Sequence, residues 1–270
     1  MRGMQMQNFS QVGGVRECLE PRPGYVFIVA DVASMEAHFF AQYNKDMDFG
    51  TALLERLNAG VDIHRQLAAE TYGIPESEVT KAQRDRAKPG NYGFMGGMRE
   101  RTFCLTQRKL TGVEYSYDLA VRLREAWLHL NPETGPFFQF IERASRRGEP
   151  IRHPSTGVWR TAPYCALANF TFQHPSAIGV KRALNRIQHL CYVDTKSALY
   201  GCRVWNVVHD EICAEVPEER AHEAALLLGE TLAWGVNTLL PDCLTKAPPL
   251  VCRQWSKGNK QIWKDGRLVP

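Results

Sequence analysis

An α+β fold follows from where the apolar runs fall. Strand-like segments stand near the two ends of the chain, at Tyr25-Val-Phe-Ile-Val-Ala-Asp31 and across Arg203 to Val216, while helical periodicity dominates the residues between them. Both strand regions deliver carboxylates at their ends: Asp31 closes the first, and His209-Asp210-Glu211 interrupts the second. A strand fixes the place of its terminal residue, so two such carboxylates brought together by folding make a site for divalent cations.

The elements can be taken in order. Residues 1 to 23 read as irregular and end in Pro21-Arg-Pro23-Gly24, a turn signal that launches the strand to Asp31. Ser34 to Tyr43 reads as a helix with Met35, Phe39 and Phe40 on one stripe, and Asp62 to Tyr72 as another, ended by Gly73. Thr80 and Gln83 have the spacing of a capping box that opens a third helix into Arg84 to Gly93. Asp118 to Leu130 is amphipathic through Leu119, Leu123, Trp127 and Leu130, and Asn131-Pro132 stops it. Pro136 to Arg147 is helical, Arg152 to Tyr164 a hairpin or a loop, and a long helix is expected from about Pro175 to Tyr192. Arg203 to Val208 and Ile212 to Val216 form two strands with Asp210 at the hairpin tip. A final helix follows over Glu218 to Leu240, and the tail from Lys246 opens with an edge strand before turning polar and loose.

The 270 residues are 44% hydrophobic and 23% charged, ordinary globular proportions that exclude a disordered class. A net charge of +4 suits a polyanionic partner without naming one. The eight cysteines show neither a C-x-x-C pair nor a zinc-like spacing with histidine, so reduced, buried thiols are expected. The longest apolar run is far short of a membrane span and the N-terminus lacks the apolar core of a signal peptide, so a cytoplasmic protein without a membrane partner is expected.

Arg84, Lys88 and Tyr92 recur at i, i+4 and i+8, which puts two cations and a ring on one helix face. Such a stripe suits a nucleoside triphosphate, with the cations on phosphates and the ring near base or sugar; the alternative is a solvated helix face. Asp31 is followed by Glu36, whose carboxylate on the first helical turns can overhang the same pocket, although that spacing alone is equally structural. Turn chemistry alone also explains an aspartate at position 210.

Together these segments resemble the palm and fingers of family A (DNA polymerase I-like) DNA polymerases, most closely the bacteriophage branch. Motif A of that family, D-Y-S-x-x-E-L-R, reads here Asp31-Val-Ala-Ser-Met-Glu36-Ala-His38. Motif B, R-x-x-x-K-x-x-x-[FY]-G, runs from Arg84 through Lys88 to Tyr92-Gly93, and motif C appears as Val208-His209-Asp210-Glu211-Ile212. Gln7-Asn8, Arg22-Pro23-Gly24-Tyr25, Asp62-Ile63-His64 and Asn169-Phe-Thr-Phe-Gln173 fall where the family has similar segments.

The resemblance implies an antiparallel palm sheet with packed helices, spanning about 1–60 and 165–270, and helical fingers over about 61–164. It implies a DNA-directed DNA polymerase module of DNA replication that adds deoxynucleotides to a primer 3′-hydroxyl. Asp31 and Asp210 would hold two Mg²⁺ ions, with Glu211 supporting them. Lys88, Arg84 and His64 would contact the triphosphate, Lys88 also as proton donor to the leaving group. Tyr92 would lie against the incoming nucleotide, Glu36 would crowd out a ribose 2′-hydroxyl, and His209, Asn169 and Gln173 would touch primer and template DNA. The family's thumb and exonuclease domain are expected to be absent from this chain, so that either a separate polypeptide supplies them or the chain is a split or truncated gene product. Departures from the pattern are Pro89 directly after Lys88, where a kink or restart of the helix is expected, Gly96 where many members carry a template-stacking tyrosine, His38 for arginine, and His174-Pro175 after Gln173. Two competing readings are a non-catalytic nucleic-acid-binding remnant of a split or truncated polymerase and a two-metal nuclease.

Overall fold

The computed structural model describes residues 14–256 and 258–270, so Gln7-Asn8 and most of the expected irregular N-terminus lie outside the described residues. The fold is α+β with antiparallel sheets, and it divides into two compact units. Unit one takes the chain through Met35 together with Ser176–Leu239 and Thr245–Pro270; unit two takes Glu36–Pro175 and Leu240–Leu244.

Unit one is built on a four-stranded sheet. Its central strand β1 (Tyr25–Asp31) is buried along its whole middle because β5 (Glu211–Pro217) and β6 (Pro249–Cys252) both pair with it antiparallel. This explains why the sequence there is an unbroken apolar run: both faces are covered, and burying each large aliphatic side chain contributes about 1.5–3 kcal/mol. One face carries Phe27, Val29, Val208, Cys213, Cys252 and Trp255. Outside β5 lies β4 (Arg203–Val208), with a bulge between Val204 and Asn206. The long helix α9 (Ala221–Asn237) packs on β1 and β6. It crosses the second half of α8 (Tyr164–Tyr192) closely: a Cβ on Gly235 would stand 2.6 Å from the Ala183 nitrogen, so only glycine allows the approach.

Unit two is helical. In chain order it holds α1 (Met35–Asp46, from Glu36 on), α2 (Ala52–Asn58), α3 (Ile63–Tyr72), α4 (Lys81–Met95), α5 (Glu100–Thr111), α6 (Tyr117–Leu130) and α7 (Thr134–Arg147). The short hairpin β2 (Ile151–Arg152) and β3 (Trp159–Arg160) and the first turns of α8 complete it. Its core is aromatic, with Phe40 edge-on to Phe137 at 4.9 Å and Phe94 5.1 Å from Phe103. The capping box at Thr80 and Gln83 forms, and Gly73 closes α3 in the left-handed conformation.

Several expectations are corrected. The helix after motif B does not restart at Pro89; α4 runs as one helix through it. The long helix begins at Tyr164, not at Pro175. Pro175 has no N–H for the carbonyl of Thr171 four residues back, and the buried His153 Nε2 donates to that carbonyl instead, at 2.9 Å. The tail is not loose: β7 (Ile262–Lys264) and β8 (Arg267–Val269) form a hairpin whose Leu268 is buried and whose backbone N–H donates to His222 Nδ1 at 2.9 Å. Two helices were missed. The N-terminus of α2 is capped by the carboxylate of Glu133, 80 residues away, and α5 buries only Phe103 and Gln107, too narrow a stripe to register.

Candidate functional site

The acidic residues sit at one end of the sheet in unit one. The β1–β5 ladder pairs Asp31 with Glu211, and beyond the ladder the Val32 N–H donates to the Asp210 carbonyl at 3.3 Å. Asp31, at the end of β1, and Asp210, in the turn that enters β5, are thus placed side by side by backbone hydrogen bonds. Val208 pairs with Glu211, so His209 and Asp210 form a two-residue hairpin turn. His209 has φ +57°, a left-handed conformation that hairpins usually assign to glycine or asparagine. A histidine held there is a strained choice that turn formation alone does not require. Glu211 is held from the side: Trp255 Nε1 donates to its Oε1 at 3.0 Å, and the Cys213 thiol lies 3.5 Å from the same oxygen. Burial, with the Glu211 charge beside it, pushes the Cys213 thiol far up, so it stays protonated and donates.

The cations sit in unit two on paired helices α3 and α4. Asp62 caps α3 by accepting the backbone N–H groups of His64 and Arg65, both at 3.1 Å, and its second oxygen accepts Arg84 Nε at 2.7 Å. One carboxylate therefore starts a helix and aims the first arginine of the stripe. Burial opposes the Asp62 charge, but these donors outweigh it and hold its pKa below the usual carboxylate range. Lys88 is exposed and forms no ion pair among the described residues. Tyr92 is half-buried, its ring 5.5 Å from the buried ring of His64.

His64 is where electrostatics refines the sequence reading. Burial first, then the charges of Lys88 and Arg84, push its pKa down to about 4. The Asn91 amide donates to His64 Nδ1 at 2.9 Å and to the Ile63 carbonyl at 3.2 Å, which leaves the ring proton on Nε2. At neutral pH His64 is an uncharged donor, not a third cation.

The start of α8 and the end of α4 meet in the same unit. Asn169 Nδ2 donates to the Cys165 carbonyl at 2.7 Å, and its amide lies so close to α4 that a Cβ on Gly96 would stand 2.8 Å from Asn169 Oδ1. Gly97, at φ +78°, lies equally close to the ring of Tyr164. A side chain at 96 would displace the Asn169 amide, and beside Gly96 opens a cleft of about 560 Å³ walled by Tyr92 and Tyr164. Gln173 is exposed further along α8, and Glu36 is half-buried in the first turn of α1.

The pattern that defines the family described as DNA polymerase family A matches residues 4–127. Over that stretch the chain is similar to the family A DNA polymerases. It is 25% identical over 248 residues to DNA polymerase I of Aquifex aeolicus, covering 90% of this chain and 41% of that protein. It is 28% identical over 247 residues to DNA polymerase I of Pseudomonas aeruginosa, covering 88% of this chain and 25% of that protein. The fold is also that of the POL domain of Pol1 from M. smegmatis, solved in complex with DNA primer-template and dNTP. That likeness has a TM-score of 0.75 at 21% identity, over 93% of this chain and 44% of the other. The chain therefore spans less than half the length of these family A relatives.

Asp62 and Asn91 are the residues that sequence reasoning left without a role. The first was visible only as a helix cap, and nothing in the spacing marked the second. Among the described residues no helix is long and apolar enough to cross a membrane.

Proposed function

We propose that this chain is the catalytic module of a DNA-directed DNA polymerase that adds deoxynucleotides to a primer 3′-hydroxyl in DNA replication. The observation that carries the reading is the pairing of Asp31 with Glu211 beside Asp210 at one sheet end, in a chain similar to the family A polymerases that also presents Arg84, Lys88 and Tyr92 along α4.

The donor set fits Mg²⁺. Carboxylate oxygens suit a hard cation, and magnesium is commonly bound through one or two carboxylates plus substrate phosphates and water. Asp31 and Asp210 would be the protein ligands, with substrate phosphates and water completing the shell; among the described residues no group of three or more His, Cys, Asp or Glu side chains is placed to hold a metal. When bound, two such ions would lower the pKa of the primer hydroxyl and neutralise charge on the leaving pyrophosphate. Glu211, restrained by Trp255, keeps the end of β5 in place. Arg84, aimed by Asp62, and Lys88 bind the triphosphate, and Lys88 donates a proton to the departing pyrophosphate. His64 adds one neutral N–H donor. Tyr92 lies against the nucleotide, Glu36 excludes a 2′-hydroxyl, and His209, Asn169 and Gln173 contact primer and template. The palm corresponds to about 1–60 and 165–270 and the fingers to about 61–164. The bacteriophage branch is favoured by Gly96 in place of an aromatic residue. A thumb-bearing polypeptide would add phosphate contacts and so tighten duplex binding.

Primer extension with Mg²⁺ tests the proposal, alone and with a candidate thumb-bearing partner. Template-directed addition that disappears in both Asp31→Asn and Asp210→Asn supports it. Folded, DNA-binding protein that adds no nucleotide under single-turnover conditions with either preparation would point to the non-catalytic reading.

A further inference from the structure

The hairpin of unit two presents a surface for which the reading above has no use. Its strands pair Ile151 with Arg160 and Arg152 with Trp159, and the His153 N–H closes the turn on the Val158 carbonyl at 2.8 Å. Alternation divides the residues cleanly. Ile151 and His153 point into the core, 3% and 2% exposed, and His153 is locked to the Thr171 carbonyl of α8. Arg152 and Trp159, opposite each other on the other face, point outward, with Trp159 63% exposed.

The backbone beneath this exposed tryptophan is anchored through His153 to α8. Neither Arg152 nor Arg160 forms an ion pair among the described residues. Arg160 lies over the ring of Phe170, 5.6 Å from its centre, and opens onto a hollow of about 390 Å³ that Asn169, Gln173 and His174 of α8 also line. An exposed ring with the unneutralised Arg152 beside it, and Arg160 with its polar hollow on the hairpin's other face, is the chemistry that recognises unpaired nucleic acid. Bases stack on the ring and phosphates take the arginines.

We infer that the β2–β3 hairpin is a single-stranded DNA platform, with Trp159 stacking on a base and Arg152 and Arg160 contacting the backbone. A protein partner is disfavoured because the exposed apolar area here is limited to Trp159 and Val158, beside the charged Arg152. The inference deepens the nucleic-acid part of the proposed function, but it needs no catalysis.

The test is equilibrium binding of a labelled thymidine oligonucleotide and of an abasic strand of the same length, without nucleotide or primer. Trp159→Ala should weaken oligonucleotide binding by about fivefold to a hundredfold while leaving the abasic strand unchanged, and Trp159→Phe should restore most of the loss. Arg152→Ala should weaken both strands and lower the salt slope by about 0.7. Because Trp159 is exposed, the melting temperature of each variant should match the parent, and Trp263→Ala, also exposed but in the other unit, serves as control. Unchanged oligonucleotide affinity in Trp159→Ala, or equal loss for both strands, overturns the platform. If primer extension fails while this pattern holds, the polymerase reading falls and the platform stands. An RNA strand bound more tightly than DNA through Trp159 would overturn the assignment to DNA.

Discussion

The acidic end of unit one and the basic face of unit two are positioned by different physics. Asp31, Asp210 and Glu211 owe their places to a strand ladder: the backbone hydrogen bonds of β1 and β5 place them. Arg84 and His64 owe theirs to side-chain contacts, with Asp62 aiming Arg84 and Asn91 selecting the tautomer of His64, while Lys88 is placed by α4 alone. Isosteric substitution of the carboxylates therefore leaves the backbone ladder that places them intact. Arg84 and His64 should lose geometry as soon as a supporting side chain is removed.

The largest effect expected from this contrast is on the carboxylates. Asp31→Asn and Asp210→Asn should each lower the single-turnover rate of nucleotide addition by about a thousandfold or more, because cation binding and charge neutralisation are lost together. Melting temperatures measured alongside separate a loss of fold from a loss of chemistry. Lys88→Ala should fall by about a hundredfold, the usual worth of one proton donor. A ranking in which Lys88 outweighs both aspartates would reverse the assignment of roles.

Acid should separate the units next. Burial lowers the pKa of both His64 and His153 to about 4, against 6.5 for a free histidine. Each is depressed in the folded state, so between those values the unfolded chain holds the extra proton. The contribution is complete above about pH 6.5 and is lost as pH falls toward 4, at up to about 3 kcal/mol for each ring. Both rings belong to unit two. Urea titrations from pH 7 to pH 4.5 should show a stability loss that His64→Gln and His153→Gln each reduce. Parallel pH profiles in parent and variants would mean that neither ring is buried neutral.

The same contrast explains what the sequence revealed. The strand-end carboxylates were legible because polar residues between two apolar runs must occupy the hairpin turn, and the α4 stripe because i, i+4, i+8 defines a face. The supports were not legible, since they join residues distant in sequence: Arg84 to Asp62 across 22 positions, Leu53 to Glu133 across 80. Pro175 misled for a related reason. Locally it looks like a helix start, and only His153, folded back from the hairpin, satisfies the carbonyl that the proline leaves open. Trp159 carried no motif at all; its meaning lies in the register that pairs it with Arg152.

The smallest predicted effect isolates one supporting contact. Asp62 both caps α3 and holds Arg84, and two substitutions separate the roles. Asparagine is as good a cap as aspartate but lacks the charge, so Asp62→Asn should leave stability within about 0.5 kcal/mol while loosening Arg84. Alanine removes both functions, and Asp62→Ala should cost about 1 kcal/mol more in folding. If Arg84 works only when aimed, both variants should raise the Kd for the incoming nucleotide by about three- to tenfold in pre-steady-state titrations, with the maximal rate little changed. Arg84→Ala should then be at least as weak, and combining it with Asp62→Asn should add nothing further, because the two residues act as one unit. Additive losses in the double variant would show that Asp62 reaches the nucleotide by a route other than Arg84, and the pairing seen at 2.7 Å would be a surface ion pair of little consequence.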